Sequence, residues 1–170
     1  MSSEHIAITP RAPSIRRALA LLAVTVGCQP SVAKAPTSVA SSSDASASMA
    51  PSPEDAAMQA ARDRGKVWLD WLDRGQYAES WDAAAPLFQS STSKEQWEAA
   101  LARGRASLGG LSSRELRAAE YRTSLAGAPA GKYVVIHYDS GFANKPRARE
   151  IVTLRQQPDE SWKVAGYFVE

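Results

Sequence analysis

Residues 104–125, GRASLGGLSSRELRAAEYRTSL, contain the point at which this chain changes its periodicity. Up to Leu108 the apolar residues return every three or four positions, which puts them on one face of a helix. Gly109 and Gly110 interrupt that pattern where a helix would end. From Arg114 onward the apolar residues alternate with polar ones, and a period of two is the signature of a strand. The change of period predicts helices before Gly110 and a sheet after it.

Working back from the glycines, Trp97, Ala100, Leu101, Gly104 and Leu108 form the stripe of one helix, and Ser93-x-x-Gln96 resembles a capping box at its start. A shorter helix precedes it, carrying Trp81, Ala84, Ala85 and Phe88, with Pro86 kinking or ending it. The first helix opens on Ser52-Pro53-Glu54-Asp55. There the serine can cap, the proline suits the first helical position and the acids favour the positive end of the helix dipole. Its stripe is Ala57, Ala60, Ala61, Arg64, Val67, Trp68, Trp71 and Leu72, and Gly75 is placed to end it. Working forward, residues 114–125, 132–140, 148–156 and 161–169 read as four strands. Their connections are short, at residues 127–131, 141–147 and 157–160, and short connections predict an antiparallel meander. Along the last strand Trp162, Val164, Gly166 and Phe168 should share one face, and Lys163, Ala165, Tyr167 and Val169 the other. The expected fold is α+β, three N-terminal helices packed on a four-stranded antiparallel meander sheet. The layout resembles the cone-shaped sheet-around-helix folds of the nuclear-transport-factor-like and cystatin-like group.

Upstream of Pro53 the character of the chain differs. Residues 30–52 are almost entirely Ser, Ala, Pro, Val and Thr, with Lys34 and Asp44 the only charges. Such a segment cannot bury enough apolar surface to offset the entropy of ordering it, so residues 28–52 are expected to be a disordered linker. Before it, Arg11, Arg16 and Arg17 supply a positive region, and residues 18–26 (ALALLAVTV) an apolar run too short to span a bilayer as a helix. The run stops at Gly27-Cys28. Thr25-Val26-Gly27-Cys28 resembles a lipobox, with Thr25 standing where the pattern usually has Leu. Residues 1–27 are therefore expected to be a lipoprotein signal peptide, with lipid attached at Cys28, the only cysteine in the chain. The alternative is an ordinary secretory signal followed by a chance cysteine. Gln29 is not the aspartate associated with retention at the inner membrane, so an outer-membrane protein facing the periplasm is the expectation. Residues 53–170 form the one expected domain.

The apparent basicity of the chain belongs to its leader. Four of the 20 Lys and Arg and two of the 18 Asp and Glu precede Pro53, leaving sixteen of each sign and a formal charge of zero. A nucleic-acid partner would call for a basic excess, so none is expected.

The folded segment also resembles a known family. The residues that carry the likeness are Trp68-Leu69, Leu72-Asp73-x-Gly75-x-Tyr77-x-x-Ser80-Trp81, Trp97, Arg105-x-x-Leu108-Gly109 and Arg114. They continue through Gly131-x-Tyr133, Phe142-x-x-Lys145, Glu150-x-x-x-Leu154 and Trp162-x-Val164-x-Gly166-Tyr167-Phe168. Together they resemble the bacterial domain-of-unknown-function family 4019, whose members are small and often exported. The resemblance implies no catalytic residue and no cofactor, because none is assigned to that family.

The residues themselves offer few sites. Five tryptophans could line an aromatic cage, but all lie on apolar stripes, where core is the default. His137 is the one histidine outside the leader and has no cysteine beside it in the domain, so no metal is expected. His137 and Asp139 lie two apart on a strand and would project from one face, which suits an acid/base pair. Arg105 and Arg114 could hold helix and sheet together through Glu150, or form an anion or carboxylate site. Phe142 and Lys145 fall in the loop 141–147, where an exposed aromatic and a cation would serve contact. Two functional expectations follow. One is a non-catalytic binding module that meets another envelope protein or a small ligand through Phe142, Lys145, Arg105 and Arg114. The alternative is a small isomerase- or dehydratase-like enzyme using His137 and Asp139.

Overall fold

The computed structural model describes residues 51–170. The signal peptide, the Cys28 attachment site and nearly all of the linker lie outside the described residues. Four helices come first in the chain: α1 (Pro53–Asp73), α2 (Tyr77–Asp82), α3 (Pro86–Ser91) and α4 (Lys94–Leu108). Four strands follow, β1 (Leu111–Arg122), β2 (Tyr133–Phe142), β3 (Lys145–Gln156) and β4 (Trp162–Val169). They pair antiparallel in the order β1-β2-β3-β4. The fold is α+β with an antiparallel meander, as its alternating patterns require.

Among the described residues the helices number four and not the expected three. Pro86 occupies the first turn of α3, where its missing N–H costs nothing, and it holds Ala85 extended at φ −67°, ψ 148°. The expected single short helix is thereby split in two. Elsewhere the start signals act as written. Ser52 with Asp55 and Ser93 with Gln96 form reciprocal capping boxes at the starts of α1 and α4.

α1 lies across the sheet and touches all four strands. Its buried face is Ala61, Gly65, Trp68, Leu69 and Leu72, whereas Val67 is 43 % exposed. Gly65 is what allows the close crossing. A Cβ there would stand 3.4 Å from Ile136 Cδ1 and 3.5 Å from Leu154 Cδ1. Around this crossing packs an aromatic cluster. Trp97 meets Phe88 edge-on at 4.9 Å, and Trp68 meets Tyr167 at 5.4 Å and Trp97 at 5.9 Å. Each buried indole N–H finds an acceptor, as burial demands. Trp68 donates to the Ser80 carbonyl at 2.8 Å, and Trp97 to the Ser80 hydroxyl at 2.9 Å. Trp68, Trp97 and Trp162 are core, and Trp71 and Trp81 pack half-buried against it.

Two bulges set which residues face the helices. Along β4 the register passes from Leu154↔Val164 to Thr153↔Gly166, leaving Ala165 as an extra residue. One extra residue reverses every later side chain. Tyr167 and Val169 therefore join Trp162 and Val164 in the core, and Phe168 turns outward, against the simple alternation expected. Along β1 the register passes from Leu116↔Tyr138 to Ala118↔His137, with Arg117 the extra residue.

Candidate functional site

The expected loop at residues 141–147 does not exist as a loop. β2 and β3 run on until only Ala143 and Asn144 separate them, with Phe142 opposite Lys145. The turn is itself engaged. Ala143 N–H donates to the Gly110 carbonyl and Asn144 N–H to the Leu108 carbonyl, both at 2.9 Å, and Asn144 Nδ2 reaches the Ser107 carbonyl. It thus caps the C-terminus of α4, where Gly109 adopts φ 76° and leaves no room for a side chain beside Ala143. Phe142 is 1 % exposed, a core residue and not a contact aromatic. Lys145 is half-buried at the start of β3.

What Phe142 supports is Arg105, whose guanidinium lies 5.2 Å over its ring and 5.9 Å over that of Tyr167. Arg105 comes from the last turn of α4, Arg114 from β1, Asp73 from the end of α1 and Glu150 from β3. Glu150 has no exposed surface. Its Oε2 accepts from Arg114 Nε and Ser140 Oγ, each at 2.6 Å. Its Oε1 accepts from the Tyr167 hydroxyl at 2.6 Å and Arg114 Nη2 at 3.1 Å. Arg114 turns its remaining edge to Asp73, at 2.6 Å and 3.0 Å. Arg105 spans the same acids, with Nη1 3.1 Å from Asp73 Oδ1 and Nη2 donating to the Tyr167 hydroxyl at 3.0 Å. Two cations and two anions balance, and every carboxylate oxygen of Glu150 is occupied.

The electrostatics follow from this crowding. Burial pushes the Glu150 carboxyl up, but the hydrogen bond and charge of Arg114, with Ser140 and Tyr167, hold it below the ordinary range. Burial raises the Tyr167 hydroxyl well above its ordinary value, and the charge of Glu150 adds to that. Burial alone would depress Arg114, yet Asp73 and Glu150 raise it above its ordinary value. Glu150 therefore stays ionised and Tyr167 neutral at physiological pH. Such a cluster fixes α1, α4 and the sheet against one another, the first of the two roles expected for Arg105 and Arg114. A groove of about 510 Å³, lined by Asp73, Arg74, Tyr77, Arg105 and Gly110 among others, opens over one end of it.

The reading of the sequence found Arg105, Arg114 and Glu150 but not Asp73, Ser140 or Tyr167. Asp73 stood out in the sequence only as one of the residues that carry the family resemblance. Tyr167 was hidden by the Ala165 bulge, which carries no residue-type signal.

The sheet's second face has no helix against it among the described residues. Across its middle, the register lines up Ala118, His137, Ile151 and Phe168 in one row, with Val135 and Thr153 in the next. His137, Val135, Ile151, Thr153 and Phe168 are all half-buried. Charged rows border this band. Glu115, Asp139 and Arg149 lie on one side, with Arg122, Arg155 and Lys163 on the other. His137 and Asp139 do share this face, but the side-chain partner of Asp139 is Arg117, at 3.4 Å. Asp139 lines an open groove of about 590 Å³ with Glu115, Arg147, Arg149 and Glu170, and His137 is not among its lining residues. Among the described residues no cluster of three or more His, Cys, Asp or Glu could hold a metal ion, and no helix is long and apolar enough to cross a membrane.

No curated protein and no solved structure matches this chain. Residues 64–167 match the family described as Protein of unknown function (DUF4019), and the chain belongs to that family.

Proposed function

We propose that the protein is an exported, lipid-anchored envelope protein whose folded domain binds a second envelope protein, without catalysis, through the outer face of its sheet. The lipobox-like Cys28 and the flanking linker support the anchor. One observation carries the binding reading: an apolar band of Val135, Ile151 and Phe168, rimmed by charged rows, on the face that α1 does not cover. An apolar centre inside a polar rim is the anatomy of a protein-binding patch. The charged groups of the interior are engaged with one another around Glu150, which leaves the surface to do the recognising.

A photo-crosslinking residue at Thr153, in the full chain expressed in its own host, tests this. The expected result is a discrete adduct with one envelope protein, lost on Ile151→Glu while the thermal melt of the purified variant stays close to wild type. Absence of an adduct from Thr153 and from Val135 alike would remove the outer face from consideration.

A further inference from the structure

β1 and β4 are the edges of the sheet, and the described residues treat them differently. At β4 the turn between α2 and α3 reaches in, Ala85 N–H donating to the Val164 carbonyl at 2.8 Å. Along β1 no backbone bond from an element other than β2 is made among the described residues. β1 also carries two of the three large apolar side chains left exposed among the described residues, Leu111 at 37 % and Leu116 at 46 %. An open edge of twelve residues is a template for another strand.

The order of residues 115–122, ELRAAEYR, says which strand it fits. Laid antiparallel against its own copy about a centre at Ala119, with Arg117 and Ala118 sharing the bulge as one position, it sets Glu115 opposite Arg122 and Arg117 opposite Glu120. Leu116 then meets Tyr121, and Ala119 meets its own copy at the axis. In a regular strand this pairing is forbidden, because residues five or seven apart point to opposite faces. The bulge at Arg117 removes the obstacle. Leu116 lies opposite Tyr138 and Tyr121 opposite Val134, both on the helix side. Glu115, Glu120 and Arg122 lie opposite Asp139, Val135 and Tyr133, on the outer side, where Arg117 also reaches Asp139. Each proposed pair therefore matches in face as well as in charge.

We propose that a second copy of this chain pairs antiparallel along β1, about a two-fold axis at Ala119, to form one eight-stranded sheet. Charges on an edge ordinarily discourage association. Here their order makes each copy attractive to the other. The present partners do not prevent this, since Arg117, Asp139, Glu120 and Arg122 are each roughly half exposed and exposed pairs are weakly held.

Sedimentation equilibrium of the full chain in detergent tests the proposal by charge reversal. The wild type is expected to dimerise. Arg117→Glu or Glu120→Arg alone should weaken the dimer about tenfold or more, because the symmetry repeats each like-charge pair twice. The double reversal should restore it. Circular dichroism melts confirm that each variant is folded; should a reversal at these positions unfold the chain, Glu115→Arg and Arg122→Glu run the same cycle. A wild type that stays monomeric overturns the proposal. So does a dimer indifferent to the single reversals, or a folded double variant that fails to re-associate.

Discussion

At Glu150 a carboxylate with no exposed surface keeps its charge, because Arg114, Ser140 and Tyr167 return the hydrogen bonds that water would have made. Removing the charge while keeping the shape should therefore be costly. Glu150→Gln is expected to destabilise the domain by about 3–5 kcal/mol, the range for breaking a buried pair, as Arg114 and Arg105 are left facing Asp73 alone. The pH dependence has two limbs. The folded Glu150 titrates below its unfolded value of 4.5, so its contribution is complete above that value and is lost as pH falls through the folded one. Tyr167 titrates above its unfolded value of 10.0, so its contribution is complete below pH 10 and is lost as pH rises beyond it. Thermal melts should be level between about pH 6 and 9 and fall on either side, and Glu150→Gln should flatten the acid limb and, by removing the charge that adds to the Tyr167 shift, shrink the alkaline one. An acid limb unchanged in that variant would place the titrating group elsewhere. Of this cluster the arginines and Glu150 were legible, since long charged side chains beside apolar stripes need partners. Which acid met which base was not, because the meeting depends on register.

Elements were readable where one local signal decides them. Ser52 with Asp55 and Ser93 with Gln96 open their helices, the period changes after Gly110, and four alternating runs become four strands. What escaped the reading is what pairing decides. A bulge needs no special residue, so Ala165 looked like any outward alanine, and Phe142 looked like a loop aromatic until β2 and β3 extended past it. Deletion of Ala165 makes the point testable. It removes the extra residue and leaves plain alternation in which Val164, Tyr167 and Val169 keep Leu154, Val152 and Glu150 as partners on the core face, with the Tyr167 hydroxyl still at Glu150. The expected outcome is a cooperative melt close to that of the wild type, whereas deletion of Thr153 from β3 makes Val152 and Leu154 neighbours, turns one of them out of the core and should abolish the melt. A melt lost equally in both deletions would mean that the bulge itself, and not the count of residues along β4, holds Tyr167 on the core face.

For the molecule as a whole, the features that carry function in our proposal lie on surfaces and in the leader, not in the core. A domain with sixteen charges of each sign gains little from a charged membrane surface, so residence there has to come from the chain before it. In our proposal a flexible chain of about 24 residues between Cys28 and the domain would span a root-mean-square distance of roughly 25–30 Å, enough to hold the domain clear of the headgroups with its sheet face and β1 edge unobstructed. Two or three acyl chains at Cys28 would make that attachment durable, where one would not. Cys28→Ser should then move the protein from the detergent-soluble membrane fraction to the aqueous one, without altering its thermal melt. Mass spectrometry of the wild type should find an amino-terminal Cys28 bearing lipid. A wild type recovered in the aqueous fraction, cut elsewhere and carrying no lipid, would mean that the apolar run is an ordinary export signal and that the sheet must find its partner free in solution.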